Sequence, residues 1–287
     1  MKNFIFINYD LIVDKIYYKD NYRYFFIGDN KIYIIECEYD EEYINNLFEL
    51  SNYLYFQKVN VNTFLINNNK KCFSVKDKIK IILIKQNDLI NIDLNYIKLF
   101  QNRKCFLKDY NIINEWTNEI DTIEKEIIEY NDEFLIIKKS LDYFIGLAEN
   151  ALELINEVKN DIISNNDSIG HLDIYDINNP FVFIKTNKMY DISNYIKYKF
   201  YKNEVNYDEI EFIINGNNIY ENIFLFSCLL YPSDYFKYLK RILLNDLDEK
   251  ILMKFVNNIE KYNILLQFCQ NKMKNVKIVK LVNWINK

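Results

Sequence analysis

One stretch of the 287-residue sequence gathers residue types that do chemistry: His171-Leu172-Asp173-Ile174-Tyr175-Asp176-Ile177-Asn178. It holds the chain's single histidine, an aspartate two residues on, and an asparagine five residues after that. Phosphoryl transfer asks a carboxylate to take the proton of the attacking hydroxyl and an asparagine to help hold a magnesium ion. The spacing offers Asp173 as that base and Asn178 as that ligand, with His171 beside them. In so Asn-rich a chain the two offsets arise by chance roughly once in a hundred. The plainer alternative is that His171 and Asp173 tie down a loop, and the residues alone leave both readings open.

The elements that must position this stretch change character along the chain. Residues 1–86 read mostly as strands: Phe4-Ile5-Phe6-Ile7, Tyr22 to Ile27, Lys31 to Cys37, Thr63 to Ile66 and Lys78 to Ile84 are short β-branched and aromatic runs. Gly28-Asp29-Asn30 supplies a turn between the second and third runs, and Asn67-Asn68-Asn69 another between the last two. Glu41 to Leu54 carries Tyr43, Leu47 and Leu50 at helical spacing. From about Gln86 helices take over. Trp116, Ile120, Ile123 and Ile127 form one apolar stripe, and Ser140 is placed to cap a helix running to Glu153. The polar run 165–170 leads into the candidate loop, and Phe181-Val182-Phe183-Ile184 reads as a buried strand after it. Helices are expected from Asp191 to Tyr201, Tyr220 to Leu230, Ser233 to Leu244 and Glu249 to Lys272, with Pro232 punctuating two of them.

Composition bounds the function classes. Half the residues are hydrophobic and 17% aromatic, so the chain can bury a substantial core. A net charge of −5 with both signs interspersed argues against a general nucleic-acid binder. The five cysteines are scattered and never spaced Cys-x-x-Cys, which fits reduced thiols in a cytoplasmic protein rather than a disulfide frame or zinc site. No apolar run reaches the roughly 18 residues of a membrane span, and no signal peptide is expected. Lys272, Lys274, Lys277 and Lys280 alternate with apolar residues, as a basic membrane-surface helix or, more plainly, as the solvated face of a packed terminal helix. Asn and Lys abundance reads as codon bias and carries no functional signal.

Three further stretches carry a resemblance: Tyr143-Phe144-Ile145-Gly146-Leu147-Ala148-Glu149-Asn150-Ala151, Asn179-Pro180-Phe181 through Asp191-Ile192-Ser193-Asn194-Tyr195-Ile196, and Leu225 through Phe236. With the candidate loop, they resemble the kinase-like proteins related to bacterial spore-coat kinases, within the aminoglycoside phosphotransferase and choline kinase superfamily. The likeness spans about residues 140–240, and the first 86 residues fit by pattern only. It implies an α+β, two-lobed protein-kinase-like fold: a small antiparallel β-rich N-lobe over 1–86 and a mostly helical C-lobe over 87–287. It also implies the family's His-x-Asp-x-x-x-x-Asn loop at 171–178.

Departures from the family pattern shape the functional expectation. Thr186 stands where the resemblance implies a metal-binding aspartate. Glu36 stands where it implies a lysine gripping nucleotide phosphates, and a carboxylate there repels phosphate. The first strands hold only Gly28, so a glycine-rich phosphate loop is absent. The expectation is therefore a degenerate kinase-like protein, a pseudokinase with a vestigial loop, that binds a small-molecule or protein partner and needs no cofactor. The alternative is an active kinase of a small metabolite using ATP and Mg²⁺, with Lys31 or Lys85 and Asp176 or Asp191 filling the missing roles. A third option, from the resemblance alone, is a structural component of a spore-associated assembly.

Overall fold

The structure, a computed structural model, describes residues 1–19, 22–87, 92–101, 107, 109–129, 134–160, 168–244 and 246–273. Lys274, Lys277, Lys280, Cys105 and the run 161–167 lie outside the described residues, as does the side chain of Ile127. The chain divides into two compact units, Met1–Asp109 with Asp167–Lys185, and Tyr110–Asn166 with Thr186–Lys287. The candidate loop thus belongs to the unit that holds the N-terminal strands.

That first unit is built on an antiparallel sheet. Its strands are β1 (Tyr17–Lys19), β2 (Tyr22–Ile27), β3 (Asn30–Cys37), β4 (Thr63–Phe64), β5 (Ser74–Lys76) and β6 (Ile79–Lys85). They run in the order β1-β2-β3-β6-β4, with β5 also paired to β6. The β2–β3 hairpin turns at Gly28, whose φ of +56° costs glycine little. Alternation then sorts the side chains. Phe25, Ile32, Ile34, Ile81 and Leu83 point to one face and bury against Ile5, Tyr9 and Val13. Tyr22, Tyr24, Lys31, Tyr33 and Ile35 alternate with these and take the other face.

The residues expected to form a first strand are a helix instead, α1 (Lys2–Tyr9). Four successive apolar residues carry no period of their own. Burial decides: Ile5 and Tyr9, four apart, cover the sheet, while Phe6 and Ile7 stay exposed. Helix α2 (Glu41–Phe56) starts where Asp40 accepts the Tyr43 N–H at 2.6 Å and buries Ile44, Leu47, Leu50 and Leu54. A short helix, α3 (Leu94–Lys98), and a two-stranded pair, β7 (Ser168–His171) with β8 (Phe183–Thr186), complete the elements around the site. Residues 180–182 form a 3-10 turn begun by Pro180, so the strand expected from Phe181 starts two residues later.

The second unit is helical. Helix α4 (Ile112–Glu129) buries Trp116, Ile120 and Ile123 as expected. Helix α5 (Leu135–Glu157) begins five residues before Ser140, which is not its cap. The Ser140 hydroxyl bonds the Ile136 carbonyl at 2.8 Å and lies 2.8 Å from the Tyr235 hydroxyl. The Glu249 carboxylate takes the capping role, accepting from the N–H groups of Ile136 at 2.9 Å and Ile137 at 3.4 Å. Then follow α6 (Met189–Tyr201), α7 (Tyr207–Gly216), α8 (Ile219–Leu230) and α9 (Ser233–Leu243). The single helix expected over 249–272 is broken into a 3-10 turn at Glu249–Leu252, α10 (Met253–Val256) and α11 (Ile259–Lys272). No described helix is long and apolar enough to cross a membrane.

Candidate functional site

The loop after β7 packs against the sheet face that carries the tyrosines, and a cavity of about 400 Å³ lies there. Asp173 and Asp176 line it together with Tyr22, Tyr24, Lys31 and Tyr33. Local chemistry shapes the loop. The Asp173 carboxylate accepts the Tyr175 N–H at 3.0 Å and so begins a 3-10 turn over Ile174–Asp176. The Asp176 carboxylate accepts the Asn179 amide at 2.7 Å, and the Asn179 oxygen accepts the Phe181 N–H at 3.1 Å. The Asn178 carbonyl accepts the Asn62 N–H at 2.8 Å, which fixes the loop to the segment before β4.

His171 is fully buried. Its ring stands edge-on to Phe100 at 4.5 Å and to Phe183 at 5.1 Å, so it packs the core beneath the loop. The Asn178 side chain is held by Tyr96, whose hydroxyl lies 2.8 Å from both the Asn178 Oδ1 and the Asn60 carbonyl. One hydroxyl proton serves these two acceptors in turn. Burial pushes the Tyr96 hydroxyl well above the ordinary tyrosine range, so it remains a donor. The oxygen expected to ligate magnesium is thus an acceptor within the protein's own network.

Glu36 lies on the face opposite Tyr33 and Ile35 and is ion-paired with Arg23. The parity of the strand explains this placement: positions 31, 33 and 35 look to the cavity and position 36 looks away. Thr186 ends β8 as a buried residue, and Lys185 beside it pairs with Asp109 at 3.1 Å. Of the four substitutes weighed for the missing cation and acid, Lys31 and Asp176 line the cavity with Asp173. Lys85 is not among the cavity's lining residues, and Asp191 is buried in the first turn of α6.

The feature that motif reading missed is the aromatic wall. Tyr17 and Tyr24 stack at 5.4 Å, and Tyr22 and Tyr24 each meet Tyr33 edge-on at 5.6 and 6.2 Å. The Lys31 ammonium sits 4.3 Å from the Tyr24 ring centre and 4.4 Å from that of Tyr33, and donates to the Tyr33 hydroxyl at 2.7 Å. The available signal was Tyr22-x-Tyr24-x-Phe26 followed by Lys31-x-Tyr33-x-Ile35, two period-2 runs in register across one hairpin. Among the described residues no group of three or more His, Cys, Asp or Glu is arranged to hold a metal ion.

No protein-family model matches the chain, and no curated protein matches it. Solved structures do. An aminoglycoside phosphotransferase from Alicyclobacillus acidocaldarius superposes with a TM-score of 0.66 at 10% identity, over 93% of this chain and 94% of that one. A spectinomycin phosphotransferase solved with ADP and spectinomycin gives 0.54 at 11% identity, over 94% and 97%. At such identities the likeness concerns architecture alone: an antiparallel N-terminal sheet followed by helices, the kinase-like fold of aminoglycoside phosphotransferases.

Proposed function

We propose that the chain is a kinase-fold binding protein, with little or no phosphotransfer, that acts by holding a ligand or a protein partner. One observation carries this reading. The cavity that Asp173 lines is walled by Tyr22, Tyr24 and Tyr33, where a polyphosphate would need cations and close backbone N–H groups. Polyphosphate recognition rests on metal and cationic charge, with backbone N–H groups brought close by small residues. Here the described lining offers one ammonium, already seated against two rings, beside two carboxylates. Glu36, neutralised by Arg23, adds no phosphate grip.

A second reading is an active ATP- and Mg²⁺-dependent small-molecule kinase with Asp173 as base. It is favoured by Lys31 and Asp176 lining the same cavity as Asp173. The spectinomycin phosphotransferase of the same fold, solved with ADP and spectinomycin, is the precedent for such a substrate class. Thermal unfolding with ATP, with and without Mg²⁺, separates the two, because a ligand selective for the folded state raises the midpoint by mass action. The binding-protein reading expects no midpoint rise that needs both ATP and Mg²⁺. A magnesium-dependent rise would favour the kinase.

A further inference from the structure

We infer that Lys31, Tyr33 and Gln86 form an autoinhibitory latch: it keeps the Lys31 ammonium from a phosphate-bearing ligand, and releasing it gives the cavity affinity for phosphate. The inference rests on the non-catalytic reading above and names the device that enforces it at that same site.

The register of β3 on β6 builds the latch. Ile32 pairs with Lys85 and Tyr33 with Ile84, so Lys31 and Gln86 come opposite each other just past the last pair. Alternation puts positions 31, 33 and 84 on the cavity side, and all three residues line the cavity. Three hydrogen bonds then close a ring. The Lys31 Nζ donates to the Tyr33 hydroxyl at 2.7 Å. The hydroxyl, accepting there, donates its own proton to the Gln86 Oε1 at 3.2 Å. The Gln86 N–H returns to the Lys31 carbonyl at 2.9 Å.

The latch holds the group that a phosphate would seek. Among the described lining residues Lys31 carries the one cationic side chain. Its ammonium also lies 4.3 Å from the Tyr24 ring centre and 4.4 Å from that of Tyr33. To meet a phosphate oxygen it must leave a hydroxyl and two ring faces. A phosphate selects the released ammonium, so its apparent affinity falls by the fraction of molecules in which the latch is open. Tyr33 is therefore a positioning residue that acts on anion binding through Lys31.

Tyr33→Phe separates the latch from the wall. It deletes two of the three hydrogen bonds and keeps the ring that meets Tyr22 and Tyr24 edge-on. Gln86→Met removes the acceptor at the other end and keeps the side-chain length. The test is an NMR titration of the full chain with ADP and with adenosine at low ionic strength. The two probes differ only in the diphosphate, so the ratio of their dissociation constants isolates the phosphate contribution.

The expected parent ratio is near one. Tyr33→Phe is expected to favour ADP roughly tenfold, the scale of one hydrogen bond to a charged group. Gln86→Met should shift the ratio the same way by a smaller factor. Adding Lys31→Met to Tyr33→Phe should return the parent ratio. The inference is overturned by no detectable ADP binding in the folded latch variants, by their ratio equalling the parent's, or by a gain that survives Lys31→Met. Any of these beside a parent that does not favour ADP leaves the non-catalytic reading standing. A parent that already favours ADP tenfold, and loses this in Lys31→Met, removes both.

Discussion

Asp173 and Asn178 have the residue types of a phosphotransfer loop, yet each holds a structural bond, one to the nearby Tyr175 N–H and one to the hydroxyl of the sequence-distant Tyr96. A side chain's type is visible in the sequence, but its partner is not. Lys197 shows the same limit in the helical unit. It is buried on α6, with its ammonium 2.6 Å from the Tyr231 carbonyl and near the Cys228 thiol and the Asp234 carboxylate. Burial lowers its pKa from 10.5 to about 8. The unfolded chain therefore holds this proton up to about pH 10.5, while the folded chain releases it near pH 8. Between those values the unfolded state binds more protons, so stability contributed by this group rises with pH, and below pH 8 the charge costs the fold on the order of 3 kcal/mol. Lys197→Met should stabilise the protein by about 1–3 kcal/mol at pH 7 in urea unfolding, since Ser233 still donates to the Tyr231 carbonyl at 3.0 Å. The advantage should shrink as pH is raised from 8 toward 10. A variant no more stable than the parent at pH 7 would contradict this account.

At the scale of elements, what the sequence revealed depended on whether local signals were decisive. Glu41–Phe56 and Ser233–Leu243 were readable because caps or Pro232 bracket a clean helical period. Tyr207–Gly216 was overlooked although Ile210, Ile213 and Ile214 have helical spacing and Asn206 accepts from Asp208 and Glu209. Its cap was hidden among so many asparagines that serve turns. Asn67 is another such case, accepting from the N–H groups of both Asn69 and Lys71 at 2.9 Å. The fate of residues 4–7 was fixed by the sheet they cover, which no local window contains. Helix α8 offers a direct test of element-level reasoning. The Asn218 oxygen accepts the Glu221 N–H at 2.9 Å, and the Glu221 carboxylate accepts the Asn218 N–H at 3.0 Å. Breaking this reciprocal pair with Asn218→Ala should cost about 1 kcal/mol in chemical unfolding. No measurable loss would mean that burial of Ile223 to Leu230, not the cap, sets where the helix begins.

At the scale of the whole molecule, the α+β order of elements was legible because strands give way to helices after Lys85. The partition into units was not, because residues 168–185 return to the first unit through β7, β8 and the loop between them, a long-range contact with no local code. The cavity was legible in half: its acidic floor came from a motif, while its aromatic wall needed the register of β2 on β3. The fold is the kinase-like fold of aminoglycoside phosphotransferases, and the function proposed above is binding with little or no phosphotransfer. Phosphate release from Mg²⁺-ATP, measured for the parent chain beside Asp173→Asn with small hydroxyl and amine acceptors present, tests that claim most directly. The account predicts that both proteins match the protein-free rate. Release by the parent above that rate, lost in Asp173→Asn, would contradict it.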